Sequence, residues 1–142
     1  MPYSSEAIVL EKISDDELVG LTDDANSGSK DSAKVDAAIA EADEIVDAYV
    51  GKVKAVPLSP VPGLIEKLSA TIAIWKLHER RGAENEVRER AYDGAIKTLE
   101  KISKRIVTLG EEEAQATVSA DAPSVAYKSK DAVFTESKLS NF

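Results

Sequence analysis

Between Asp31 and Val50, apolar residues recur at Val35, Ile39, Ala42, Val46 and Tyr49, in alternating steps of four and three. That spacing puts them on one face of a helix, while Asp36, Glu41, Asp43, Glu44 and Asp47 lie mostly elsewhere. Gly51 is placed to stop this helix. The following stretch, Lys52–Pro62, contains Pro57, Pro60 and Pro62 and reads as an extended connector, because proline removes a helix donor and restricts the residue before it. A second helix is predicted from near Pro60–Gly63 to about Arg81. Leu64, Ile65, Leu68, Ile72, Ile74, Trp75 and Leu77 leave little of its girth polar, which assigns it, with Trp75, to the centre of the domain. Gly82 interrupts the pattern. A last long helix is predicted over Glu84–Leu109, burying Tyr92, Ala95, Leu99, Ile102, Ile106 and Leu109. Its exposed side offers the i,i+4 pairs Glu84/Arg88, Glu86/Arg90 and Glu100/Lys104, and Gly110 ends it.

Ahead of these, Ser4–Leu10 reads as a short helix with Ala7, Ile8 and Leu10 to bury. Ser14-Asp15-Asp16-Glu17 forms a capping box, in which Ser14 caps the next short helix and Glu17 reaches back. Thr22–Lys30, rich in Asp, Asn, Ser and Gly, is a loop. The predicted fold is all-α: a small bundle of three main helices plus short N-terminal helices, with an extended C-terminal arm. The division falls between a helical domain at 1–109 and an arm at 110–142. The arm has no core-forming pattern, yet carries Val125 and Tyr127 and then Val133, Phe134, Leu139 and Phe142. Apolar residues spaced through a polar tail suggest a segment that orders when another surface receives it, as an added strand or arm. The expectation is an assembly component before an enzyme.

Charge sharpens that picture. The net charge is −8, distributed unevenly. Residues 1–50 carry 13 acidic and 3 basic side chains, a net of −10; residues 51–109 carry 7 and 12, a net of +5; residues 110–142 carry 6 and 3, a net of −3. An acidic front and a basic middle favour head-to-tail contacts between identical copies, which close into rings when the rotation allows. The same charges also serve as the solvated faces of a monomer. Overall acidity argues against duplex DNA as a wrapped partner, because phosphate binding needs a dense basic surface. It is compatible with a ring through which DNA slides without sticking.

The 142 residues contain no cysteine, which excludes disulfide scaffolds, Cys-based zinc sites and thiol catalysis. Met1-Pro2-Tyr3-Ser4-Ser5-Glu6 lacks the basic start and apolar run of a signal peptide, and no apolar stretch approaches the ~20 residues needed to span a bilayer. A soluble protein made in a cytoplasm is expected. The single histidine, His78, sits in Leu77-His78-Glu79-Arg80-Arg81, which does not complete HExxH, and is read as a helix-end surface or capping residue. No Walker A loop, GxSxG elbow or GxGxxG occurs. Asp24-Ala25-Asn26-Ser27-Gly28 fails as a calcium loop: Gly28 takes a ligand position, Ser29 the glycine position and Val35 the place of the bidentate Glu. Asp15 and Asp16 complement a helix dipole. No catalytic, metal or cofactor site is expected.

Taken in order, several stretches resemble the family of small Mu-like phage and prophage head-to-tail adaptor proteins. They are Glu17-Leu18-Val19-Gly20-Leu21-Thr22-Asp23-Asp24, Val35-Asp36-Ala37-Ala38-Ile39, Glu44-Ile45-Val46-Asp47-Ala48-Tyr49 and Ala55-Val56-Pro57-Leu58-Ser59-Pro60-Val61-Pro62. Ile72-Ala73-Ile74-Trp75-Lys76-Leu77-His78-Glu79-Arg80-Arg81 and Val87-Arg88-Glu89-Arg90-Ala91-Tyr92-Asp93-Gly94-Ala95-Ile96-Lys97-Thr98-Leu99 follow, then Val133-Phe134 with Leu139 and Phe142. One departure is visible: the family usually has an Arg-Tyr pair before the Pro-Leu step, where this chain has Lys52-Val53-Lys54-Ala55.

The resemblance implies a neck protein at the head–tail junction of a tailed virus, present in the host cytoplasm during assembly. Copies would form a ring, expected to be twelvefold, beneath the portal protein and connect it to the next neck or tail-completion protein. The acidic front of one copy would face the basic middle of the next. Val133, Phe134, Leu139 and Phe142 would dock the arm on the portal or a neighbour. Glu111, Glu112 and Glu113 either face the channel, repelling DNA that passes without specific binding, or simply solubilise the start of the arm. No membrane and no cofactor enter this reading. Its rivals are a tail-terminator or tail-completion ring protein, and a non-structural helical assembly or regulatory protein.

Overall fold

A computed structural model describes residues 2–109, and everything structural below refers to them. Five helices follow one another: α1 (Glu6–Lys12), α2 (Asp15–Thr22), α3 (Ser32–Val50), α4 (Gly63–Arg81) and α5 (Glu86–Ser103). All belong to one compact unit that ends at Val107; Thr108 and Leu109 fall to a second. The all-α bundle of three long helices and short N-terminal ones is as the periodicity predicts, and no strand occurs among the described residues. None of these helices is long and apolar enough to cross a membrane.

Four of the five helices begin where a side chain satisfies a free N–H group of the first turn. Ser5 accepts from the Ile8 amide, Ser14 from Glu17, Asp31 from Ala33 and Asn85 from Arg88. Pro62 opens α4 without such a bond. The Ser14 cap is the expected one, but Glu17 does not supply the reciprocal half of a capping box. Its carboxylate turns into the bundle, to His78 and Arg88.

The centre belongs to α4, which packs against each of the other four helices. Ile65, Leu68, Ala70, Ile72, Ala73, Ile74 and Leu77 are all buried along it. Also buried are Val35, Ile39, Ala42 and Val46 of α3, Leu99 and Ile102 of α5, and Val9 and Leu18 of the two short helices, all of which pack on α4. Each large aliphatic side chain buried in this way contributes roughly 1.5–3 kcal/mol against the entropy of ordering the chain. Trp75 is only half-buried, not the core residue expected. Its ring lies on the flank of α4 against Tyr92, with centroids 5.8 Å apart and planes tilted by 32°.

The two long C-terminal helices stop differently. At the end of α4, Gly82 adopts the left-handed conformation (φ +69), with its N–H on the Glu79 carbonyl and that of Ala83 on His78. This pair of bonds is a Schellman motif, for which glycine is suited. The end of α5 repeats it without glycine. Arg105 takes φ +62, its N–H reaches Ile102, and the Ile106 N–H reaches Lys101. The helix therefore ends at Ser103 rather than continuing to Leu109, and Ile106, expected in the buried face, is 67% exposed. The other end of α5 also moves: Glu84 precedes the helix, so only Glu86–Arg90 of the first two expected pairs forms, at 3.1 Å.

Holding a side-chain-bearing residue in the left-handed region costs about 1 kcal/mol. Arg105→Gly is accordingly expected to raise the stability of the domain by about 0.5–1 kcal/mol, read from the urea midpoint at unchanged slope.

Candidate functional site

Three polar clusters tie the helices together, and each uses residues far apart in sequence. The first is built on Tyr3, which is buried next to α3. Its backbone N–H donates to Asp43 Oδ2 at 2.9 Å and its hydroxyl donates to Asp47 Oδ1. The same hydroxyl accepts the Leu58 N–H at 2.9 Å, fixing the proline-rich connector. Ser69 of α4 completes the cluster, its hydroxyl donating to Asp43 Oδ1 at 2.6 Å. Burial and the Asp47 hydrogen bond push the Tyr3 phenol up to about 12. Burial also raises the Asp43 carboxyl, against the opposing bonds from Ser69 and the Tyr3 amide.

The second cluster joins α2, α4 and α5 through Glu17. His78 Nε2 lies 3.2 Å from Glu17 Oε2, and Arg88 Nη2 lies 3.2 Å from Oε1. His78 is only 5% exposed, so it is an interior cross-link and not the surface residue expected. The helix turns back only after Arg81, and the side chain one turn earlier points under α2. Neither the groove nor the pocket described below includes His78 in its walls.

The third lies at the surface. Asp24 receives Arg80 at 3.0 Å and Arg81 at 2.9 Å, with Lys34 at 3.6 Å, while Arg80 also donates to the Leu21 carbonyl. The Arg80 hydrogen bond and charge hold Asp24 at about 2. Beside it, Asp23 accepts the Ser27 and Gly28 amides, which is turn-forming chemistry for the loop. Part of the acidic front is thus matched to the basic middle within one chain, through Glu17–Arg88 and Asp24–Arg80/Arg81.

The described residues form a groove and a smaller pocket at the surface. A shallow groove of about 500 Å³ runs between α3 and α5, walled by Ile45, Ala48 and Tyr49 on one side and by Tyr92, Ile96, Asp93, Lys97 and Glu100 on the other. A smaller pocket of about 230 Å³ is lined by Lys12, Thr71, Ile74, Arg88 and Ala91. Among the described residues no three His, Asp or Glu side chains converge as metal ligands do. The groove escaped sequence reasoning because Tyr49 and Tyr92 fit the apolar periodicity of their helices, whereas both stand half-buried at its edge. The residues expected to dock the arm (Val133, Phe134, Leu139, Phe142) and the acidic run Glu111, Glu112 and Glu113 lie outside the described residues.

Tyr3→Phe leaves the buried Leu58 N–H and the Asp47 carboxylate without their partner, and is expected to cost ~1–3 kcal/mol in urea unfolding at neutral pH. The native phenol titrates above its unfolded value of about 10, so the unfolded chain loses its proton first. Stability is then complete below pH 10 and falls as pH rises toward 12, and Tyr3→Phe flattens this alkaline limb. Asp24 carries the opposite sign. Its native pKa lies below the unfolded value, so its contribution is complete above about pH 4 and is lost as pH falls toward 2. In urea titrations at a series of pH values, Asp24→Asn is expected to lower stability near neutrality and make the acid limb shallower.

Comparison with known proteins identifies the family. The model of a family described as "Bacteriophage Mu, Gp36" matches residues 3–127, a stretch that contains all five helices. The Mu-like prophage FluMu protein gp36 of Haemophilus influenzae is 30% identical over 93 residues, which cover 66% of this chain and 64% of that protein. The match therefore spans a little under two thirds of the relative's length. With the family model covering most of the chain, the protein belongs to the Bacteriophage Mu Gp36 family of phage proteins.

Proposed function

We propose that this protein is a structural component of a tailed phage particle, a head-to-tail adaptor whose copies form a ring between the portal and the next neck or tail-completion protein. The observation that carries the reading is its membership of a phage Mu family over residues 3–127, together with the ordered motifs that resemble Mu-like adaptors. The architecture is consistent with that role. A small helical protomer, cross-linked by Tyr3, Glu17 and Asp24, is a rigid block suited to repetition around an axis. The role is one of binding and not of turnover. A net charge of −8 suits a channel that DNA traverses without adhesion.

Under this reading the arm at 110–142 supplies the docking contact. Covering Val133, Phe134, Leu139 and Phe142 on a partner contributes on the order of several kcal/mol per copy before ordering costs. Repetition around a ring multiplies modest contacts into a stable seal.

Purified protein mixed with assembled portal rings tests both parts, by sedimentation and electron microscopy. Full-length chain is expected to cap one end of the portal, and a chain truncated after Gly110 is expected to bind weakly or not at all. Equal binding by both keeps the adaptor and removes the arm from the contact. Absence of binding by either, with recovery of the protein in the tail fraction of purified particles, moves it to a tail-completion role. Absence from particles altogether makes it a non-structural assembly protein.

A further inference from the structure

The pocket of about 230 Å³ gathers three polar groups of different chemistry around a small apolar surface. Lys12 comes from the last turn of α1, Thr71 and Ile74 from the middle of α4, and Arg88 and Ala91 from the first half of α5. Ile74 is buried and Ala91 exposed, so apolar surface runs from the interior to the rim. No carboxylate is among the described residues that line it. The groove between α3 and α5 differs in this respect, because Asp93 and Glu100 stand there beside Lys97.

An exposed lysine carries no message alone, and Lys12 has a local reason for its place, since a cation suits the last turn of a helix. Arg88 has none. It stands in the first turn of α5, where the helix dipole opposes a cation. Glu17 answers only part of its guanidinium: Nη2 lies 3.2 and 3.4 Å from the two carboxylate oxygens. Nε is enclosed with no hydrogen-bond partner among the described residues. Enclosed N–H groups are nearly always bonded, so an orphan beside a pocket marks donor capacity that the chain leaves unspent. Thr71 has the opposite character. Its hydroxyl donates to the Lys67 carbonyl at 2.9 Å, which leaves its oxygen able only to accept. A carboxylate placed on that oxygen is repelled, and an N–H is welcomed.

A ligand that matches all of these groups carries an anion for Lys12 and Arg88, an N–H for Thr71 and an apolar side for Ile74 and Ala91. Inorganic phosphate lacks the N–H and the apolar side, and a simple fatty acid lacks the N–H. The last residue of a polypeptide carries all three on one carbon: carboxylate, amide N–H and side chain. The volume suits a single residue, being below the roughly 300–1,000 Å³ of sites for larger ligands. We propose that this pocket captures the C-terminal residue of a partner polypeptide. Its carboxylate lies between Lys12 and Arg88, its amide N–H donates to Thr71 Oγ, and an apolar side chain rests on Ile74 and Ala91. The site is built within one chain and needs no ring, so the result with peptides and the result with portal rings are read independently.

Full-length protein labelled for NMR is titrated with the tripeptide acetyl-Gly-Gly-Leu, as the free acid and as the C-terminal amide, at about 50 mM salt, where screening is modest. The acid is expected to shift the backbone amides of Lys12, Thr71, Ile74, Arg88 and Ala91, and the amide to bind at least about tenfold more weakly. Lys12→Gln is expected to weaken the acid by about three- to tenfold and leave the amide unchanged. Ala91→Leu fills the pocket from an exposed position and is expected to abolish binding of both. Arg88→Gln also removes a bond to Glu17; if its urea midpoint falls, the Lys12 and Ala91 variants, which touch no hydrogen bond of the bundle, decide the matter. The probe 4-methylpentanoate keeps the carboxylate and the side chain but has no N–H, and is expected to bind more weakly than the acid peptide. Binding of equal strength would overturn the polypeptide as the source and assign the pocket to simple carboxylates. Equal binding of acid and amide, wild-type affinity in Ala91→Leu, or no saturable shift at the five amides by about 10 mM peptide would overturn the site itself.

Discussion

A helix that is apolar around most of its circumference has to be enclosed, and this domain is organised by that requirement on α4. Ile65, Leu68, Ile72, Ile74 and Leu77 point in several directions, so one neighbouring helix is not enough to remove them from water. Helix α3 covers one side, α5 another, and the short α1 and α2 fill the remainder. This explains why two segments of 7 and 8 residues, too short to hold helical structure in isolation, persist at the front of the chain. Their stability comes from the surface they cover.

Apolar enclosure leaves orientation loosely determined, and the polar clusters settle it. Tyr3 joins the N-terminus to α3 and to the connector, while Asp43 carries the link to α4. Glu17 fixes α2 against both α4 and α5. Asp24 holds the end of α4 under the loop after α2. A buried hydrogen bond contributes little net energy when made and costs more when one partner is missing, so these clusters act chiefly by penalising other arrangements. The domain that results presents defined outer faces on α3 and α5.

Much of the architecture was legible in the sequence because it rests on local signals. The four-three periodicity located α3 and α5, a nearly unbroken apolar girth after the prolines located α4, Ser14 marked the start of α2, and Gly82 marked the end of α4. What was misread depends on tertiary context. Nothing local distinguishes Arg105 from a continuing helix, since the left-handed turn there is filled by an ordinary residue. Glu17 fits a capping box, and only the proximity of His78, 61 residues later, draws its carboxylate away. His78 was read as a helix-end surface or capping residue because it stands one turn before the end of the predicted helix, whereas in space it is buried against Glu17 of α2. The charge asymmetry was read as a surface for other copies, and part of it is matched within the chain. The candidate groove was invisible for a related reason, since an aromatic at the margin of a helix face has the same periodicity as one at its centre.

The separation of the partners in the Glu17 cluster bears on how the chain acquires its structure. Glu17 leaves the ribosome long before His78 and Arg88, which complete its coordination from 61 and 71 positions downstream. Short helices gain little from local contacts, and closing so long a loop is slow compared with forming a turn. The front of the chain, synthesised first, is therefore fixed late, when α4 and the start of α5 have been made. During synthesis its apolar residues, Val9, Leu18 and Leu21 among them, await a surface that does not yet exist. Glu11, Asp15, Asp16 and Glu17, set among them, give that segment the charge that opposes aggregation of exposed apolar surface.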